Sequence, residues 1–250
     1  MDFALYAAAS GMAAQQRSLE VTAQNLSNLA TPGYRPLRVE FADALGRAGA
    51  PGAIAMGVGS TGVRRLVTQG GLHPTDDPFD LALDGPGLFR LQRPDGSAVY
   101  ARAGHFHPDP SGRLLDAAGN ALLGETGPLL LPPGSQGLHV AADGSAVVTL
   151  ANGSEAAVGR VSLAEFTDPG ALISDGGGGL VAGAAAGPER TGTPGSSGLG
   201  RVHQGFLEDS GADMMREMTN MLQAQRLYEL NSRALQAADE VWQMANNLRR

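Results

Sequence analysis

Seven residues near one end of the chain, Leu5, Ala8, Met12, Gln15, Leu19, Thr22 and Leu26, follow one another at steps of three and four. A second run at the other end, Leu227, Leu230, Ala234, Ala237, Val241, Met244 and Leu248, does the same. Such spacing puts side chains on one face of an α-helix. The first stripe is narrow and contains two polar positions, and Gly11 costs it roughly 1 kcal/mol against Ala, so a lone helix here is marginal in water. It needs a partner, and the far helix is the candidate, with the ordinary amphipathic helix docked on its own domain as the alternative. A second stripe, Met214, Met218, Met221, Tyr228, Leu235 and Trp242, interrupted by Gln225, Ser232 and Asp239, gives the far helix two apolar edges. One edge can meet the N-terminal helix and the other is left for something else. Ser210 reads as the cap of this helix, with Asp213 as the acid of a capping box, so the helix is expected from about Gly211 onward.

Between the two ends the pattern changes. Phe79, Leu81 and Leu83 alternate with polar or small residues, and Asp95-Gly96, Asp143-Gly144 and Asn152-Gly153 each separate short apolar runs. These are hairpin signals, and Ser111-Gly112 and Gly119-Asn120 add further turns. Gly (36) and Pro (15) together supply about a fifth of the 250 residues, which favours many turns over long buried helices. The fold class expected is mixed α and β, with N- and C-terminal helices pairing as a coiled coil and a central antiparallel β domain. The expected divisions are residues 1–33 (helix and turn), 34–75 (extended connection), 76–185 (β domain), 186–204 (return connection) and 205–250 (C-terminal helix). The two connections are Gly/Pro/Ser-rich, as flexible linkers are, although Val63, Leu66, Val67 and Leu72 are able to form strand edges; the two are expected side by side if the helices pair.

Composition closes off much chemistry. All 18 basic residues are Arg, so the chain has no lysine for a Schiff base or for a P-loop. The formal net charge of -7 argues against a nucleic-acid partner. The absence of Cys excludes disulfides, Cys-ligated metal centres and thiol nucleophiles. Asp2 stands where a secretory signal carries positive charge, so no cleavable signal is read, and no segment reaches the length of a membrane span. His105 and His107, with Asp109, form the best metal candidate, because alternate strand residues share a face; third and fourth ligands are not evident. The acidic group Asp76, Asp77, Asp80 and Asp84 lacks EF-hand spacing and reads as turn and strand-edge solvation. Ser10 and Ser27 have no accompanying His motif or nucleophile elbow, and the Gly-rich stretches lack phosphate-loop order. No catalytic residue, metal or cofactor is assigned.

Two stretches carry a resemblance. NLSNLATPGY (25–34) and MTNMLQAQRLYELNSRALQAADE (218–240) are similar to the paired terminal signatures of bacterial flagellar axial proteins, and more narrowly of their rod and hook group. The segment DLALDGPGLFRLQRPDGSAVYARAGHFHPDPSGRLLDAAGNALLG (80–124) resembles the start of the β domain in that group, so the likeness spans nearly the whole chain in order. NMLQAQRLYELNS and GFLEDS lean toward the distal rod position; GETGPLLLPPGSQGLHVAADGS and MDFALY resemble proximal rod subunits at least as closely, and no Gln/Ser-rich insertion follows Phe41.

The resemblance implies a non-enzymatic subunit of the basal-body rod, exported unfolded without a cleaved signal. Its partners would be itself, other rod and hook proteins, the export apparatus and the envelope rings, with no membrane insertion. The terminal helices would pair in an inner tube around the export channel, with NLSNLATPGY turning the chain outward. The implied assembly interface comprises Leu5, Met12, Leu19, Leu26, Asn25, Asn28, Met218, Met221, Tyr228, Leu230, Val241 and Trp242. Leu5, Met12, Leu19 and Leu26 are expected against Leu227, Leu230, Val241 and Leu248 within one subunit, and Met218, Met221, Tyr228 and Trp242 against neighbours. The competing class is a small β-domain metal-binding enzyme built on His105 and His107.

Overall fold

The computed structural model describes residues 2–45 and 55–247. They gather into two compact units: Met1–Leu29, Pro36–Leu66 and Ala212–Arg250 form the first, and Ala30–Arg35 with Val67–Gly211 the second.

The first unit holds helix α1 (Asp2–Ser27), strands β1 (Leu37–Leu45) and β2 (Ala55–Arg65), and helix α2 (Met214–Asn247). α1 packs against α2 and against both strands. The stretch that composition likens to a linker is thus an antiparallel hairpin, with Leu37 opposite Arg65 and Val39 opposite Val63; its residues 46–54 lie outside the described residues. Glycine makes the hairpin fit. At Gly57 (φ +138°) a Cβ would fall 2.3 Å from Ser10 Oγ on α1, so only a residue without a side chain lets the strand approach the helix. The Ser10 hydroxyl then accepts the Val58 N–H at 3.3 Å.

The second unit is β-rich. Along the chain it contains β3 (Leu72–Pro74), β4 (Leu81–Asp84), β5 (Leu88–Gln92), β6 (Ala98–Ala101), β7 (His107–Pro108), β8 (Leu114–Leu115) and β9 (Ala121–Leu122). It continues with β10 (Ser135–Val140), β11 (Ser145–Leu150), β12 (Glu155–Arg160), β13 (Leu163–Phe166), β14 (Ile173–Ser174), β15 (Leu180–Val181) and β16 (Glu189–Gly192). It closes with β17 (Arg201–Gln204) and β18 (Phe206–Glu208). The largest sheet runs β14-β15-β6-β5-β9-β8-β7, with β13 pairing both β5 and β16; β10-β11-β12 form a meander. Its pairings are antiparallel throughout.

The expected hairpin turns are where the sequence puts them. Asp95, Asp143 and Asn152 each accept the N–H of a serine two residues on, at 2.8, 3.1 and 3.0 Å. The intervening Gly96, Gly144 and Gly153 take φ of 87°, 81° and 78°, as a three-residue turn with a bulge requires. Leu81, Leu83, Phe89, Leu91, Phe106, Leu122 and Leu163 form the core, with Phe89 edge-on to Phe106 at 5.6 Å. Tyr100 and Phe166 meet edge-on at 4.8 Å in a second cluster. The return segment differs from expectation: β17 pairs with β4, while Leu72–Pro74 is paired by β18, just beyond residues 186–204.

Candidate assembly interface

The first unit explains the polar residues in its helical stripes. Asn25, 2% exposed, aligns its amide with the Leu37 backbone: Oδ1 accepts the Leu37 N–H at 2.8 Å and Nδ2 donates to the Leu37 carbonyl at 2.9 Å. It therefore stands in for a neighbouring strand at the start of β1. The same Nδ2 lies 3.2 Å from Glu217 Oε1 on α2, itself 6% exposed. Two heptads away on each helix, Gly11 faces Asn231, whose Nδ2 would be 2.8 Å from a Cβ added at position 11. The glycine that weakens α1 as an isolated helix is what admits Asn231. Asn25 with Glu217, and Gly11 with Asn231, also make the two helices antiparallel.

The packed faces are not those the apolar stripes predict. On α2 the face toward α1 carries buried Glu217 and Ala224 with half-buried Met221, Asn231, Leu235 and Ala238. The cleaner apolar edge points away: Leu227, Leu230, Val241 and Met244 are 45, 59, 45 and 58% exposed. The second edge is divided: Met221 and Leu235 turn inward while Met214, Met218, Tyr228 and Trp242 stay exposed, because polar Asn25 and small Gly11 on α1 take Glu217 and Asn231 as partners. On α1 the buried centre is Ala8, Ala14, Val21, Thr22 and Asn25, and the expected Met12, Leu19 and Leu26 are half-buried beside it. Met218, Tyr228 and Trp242 are exposed, and Met221 is half-buried. Asn28 donates to the Gln24 carbonyl at 2.8 Å, finishing α1 locally. The Leu5 side chain and Leu248 lie outside the described residues. The cap of α2 also shifts: Asp213, not Ser210, accepts the Arg216 N–H at 2.9 Å, and the helix starts at Met214.

The second unit contains a buried charge cluster with no local sequence signal. Glu208, at the end of β18, binds the Arg102 Nε, meets Arg35 Nη1 at 3.2 Å and accepts the Gly70 N–H at 3.0 Å. Arg102 and Glu208 are 3% and 2% exposed, and Arg35 is 8% exposed. Arg102 further donates to the Gly87 and Leu83 carbonyls at 2.7 and 2.6 Å, so each of its three guanidinium nitrogens has an acceptor. Burial pushes the Arg35 guanidinium down to about 10; Glu208 opposes that shift and Arg102 reinforces it. Beside the cluster, Gly33 donates its N–H to the Glu208 carbonyl at 2.8 Å and takes φ +66°, with a would-be Cβ only 2.6 Å from Ala103 N. Residues 31–35 are thereby seated against Arg102, Ala103 and β18 of their own unit.

Of the candidate metal ligands, His107 is exposed on β7, while His105 and Asp109 engage other groups. His105 Nδ1 lies 2.6 Å from Asp80 Oδ1, across an isolated bridge between those residues. Asp109 accepts the N–H groups of Ser111 and Arg113 and pairs with the Arg113 guanidinium at 2.7 Å. Asp77 caps Phe79, and no group of three or more acidic or His side chains able to hold a metal occurs among the described residues. No helix among them is long and apolar enough to cross a membrane.

Comparison with known proteins matches three stretches to family models. Residues 5–35 match the flagella basal body rod protein family, 82–148 the D1 domain of the flagellar hook proteins FlgE/F/G, and 203–248 the C-terminal region of the basal body rod FlgEFG proteins. The flagellar basal-body rod protein FlgG of Borreliella burgdorferi is 34% identical, over 99% of this chain and 98% of its own. The chain belongs to the flagellar basal-body rod protein family. FlgG of Bacillus subtilis is 31% identical over 98% of both chains, and the rod protein FlgF of Mesorhizobium japonicum 32% identical over 94% of this chain and 92% of its own.

As a rod-family member this is a structural protein of the flagellar basal body, assembling with rod and hook proteins. Arg35, Arg102 and Glu208 each fall in a different one of the three matched stretches. The buried cluster therefore ties together, inside one unit, parts of the sequence that any local reading treats separately. The sequence reading missed it, along with Glu217, Asn231 and the packing role of Gly11. The only cue was an unexplained glycine inside a helical stripe.

Proposed function

We propose that the chain is a distal rod subunit, whose terminal helices form an inner coiled-coil layer around the export channel and whose β unit forms the outer wall. The observation that carries this is the exposed α2 edge of Leu227, Leu230, Val241 and Met244. A contiguous apolar stripe of this kind is an association surface, and a head-to-tail contact that does not close generates an open helix. The recurrence of the α1–α2 contact at two-heptad spacing supports a coiled coil, since a seven-residue repeat keeps one pair of faces together along both helices. The full-length match to FlgG relatives supports the distal position. The chain reaches that position unfolded, through the flagellar export apparatus and without a cleaved signal, and its outer wall turns within the envelope rings. It catalyses no reaction.

The test is Leu230→Asp with Val241→Asp, assayed by recovery of hook-basal bodies and by the unfolding transition of the β unit. Both side chains are exposed, so the variant should fold and fail to assemble. Normal rods in that variant would refute the reading. Cross-linking mass spectrometry on purified particles checks position: links from α2 to further copies and toward the hook are expected, and links only to export-gate or proximal components would place the chain at the proximal end.

A further inference from the structure

An antiparallel pair of heptad helices lined with Ala, Gly and Leu is poorly specified along its axis, because a slip of seven residues brings similar side chains back into contact. In this pair two polar contacts break the degeneracy. Asn25 is fixed from one side by the Leu37 N–H and carbonyl, which leaves one Nδ2 proton directed at Glu217. In one slipped register Asn25 would face Ala224, which offers its Nδ2 no acceptor, and Glu217 would fall opposite position 32, past the end of α1. In the other, Asn25 would face position 210, outside α2. The first slip also moves Asn231 from Gly11 onto Ser18, which has the side chain that Gly11 lacks.

We infer that Asn25 with Glu217, and Gly11 with Asn231, set the register of α1 against α2, making these four the specificity-determining residues of the axial helix pair. The inference rests on the coiled-coil pairing proposed above, and it assigns polar residues a task separate from affinity. A buried polar pair adds little stability over an apolar one of the same shape, yet it penalises every arrangement in which one member is left unpaired. One polar position in a helical seam is enough to select a register. The leucines and methionines on the outward edge of α2 play no part in this choice.

The experiment uses the full-length chain, whose lack of cysteine leaves engineered labels alone. Spin labels at Gln24→Cys and Arg233→Cys occupy exposed sites offset along the helix axis, so a one-heptad slip changes their separation by about 10 Å. A single distance is expected with Asn25 and Glu217 in place. In Asn25→Leu/Glu217→Leu, helicity should be kept and a second population should appear about 10 Å away, increased at least about tenfold over the parent. One unchanged distance in the double variant overturns the inference. So does loss of helix pairing, which would make the pair a stability element rather than a register device. The measurement reads the protomer alone, so its failure would be distinguishable from failure of the rod assignment, which is read from assembled particles.

Discussion

Glu208→Ala is the perturbation with the largest expected effect on the β unit. It removes the acceptor of the Arg102 Nε, the Arg35 Nη1 and the Gly70 N–H at once, and leaves two guanidinium groups, 3% and 8% exposed, facing each other without an anion. Breaking a buried pair in this way costs about 3–5 kcal/mol, because the surviving charge keeps its desolvation penalty. A domain of about 150 residues moves its midpoint by about 2–4 °C per kcal/mol, so a fall of about 6–20 °C follows. The internal control is Glu189→Ala. Its partner Arg90 sits at 2.6 Å, but the two side chains are 26% and 28% exposed, and pairs of that kind contribute about 0.2–1 kcal/mol. Thermal unfolding of the full-length chain, followed in the near ultraviolet where the β-unit aromatics report, measures both. Equal shifts in the two variants, or less than about 2 °C for Glu208→Ala, would refute the reasoning that burial decides the effect.

Gly11→Ala should not deliver the gain of about 1 kcal/mol that helix propensity offers, because the new Cβ meets Asn231 Nδ2 at 2.8 Å. The same change in an Asn231→Ala background should recover it, and chemical denaturation of the four-member cycle reads the coupling. Tyr100 gives a pH dependence: burial, then its hydrogen bond to Glu189 and the charge of Glu189, raise the phenol from 10.0 to about 12. The unfolded chain therefore loses this proton first, so the stability held below pH 10 declines between pH 10 and about 12. Phenolate absorbance in Glu189→Gln should titrate earlier than in the parent, and an unchanged midpoint would discount the role of Glu189.

What the sequence discloses follows the range of the forces involved. Turns such as Asp143-Gly144 are fixed by one side chain and one φ angle, so they are legible. The alternation at 79–84 is less so: it reads as a half-buried strand, but Leu81, Ala82 and Leu83 are all buried because β4 is covered on both faces. β1–β2 is hidden by its glycines, which composition assigns to a linker and which the structure uses for close approach to α1. Glu208 and Arg102 stand 106 residues apart, and no periodicity or turn chemistry links residues at that separation.

The misassigned faces of α2 follow from an assumption about monomers. In a soluble monomer the apolar stripe of a surface helix faces inward, and by that rule Leu227, Leu230, Val241 and Met244 belong against α1. Here the helix turns Glu217, Met221, Ala224 and Asn231 inward and leaves the leucine edge outside. An isolated chain gains nothing from that exposure. A subunit that must contact copies of itself does gain, since apolar area kept off the intramolecular seam remains available for the intermolecular one. Placing the polar residues in the intramolecular seam has its own physical sense. Their hydrogen bonds are directional and penalise misalignment, so correct pairing within the chain can be enforced without consuming the non-directional attraction that assembly needs. On the reading proposed above, the helix separates fidelity from affinity by assigning them to opposite faces, and a stripe reading that ranks faces by hydrophobicity alone chooses the wrong inner face wherever that separation holds.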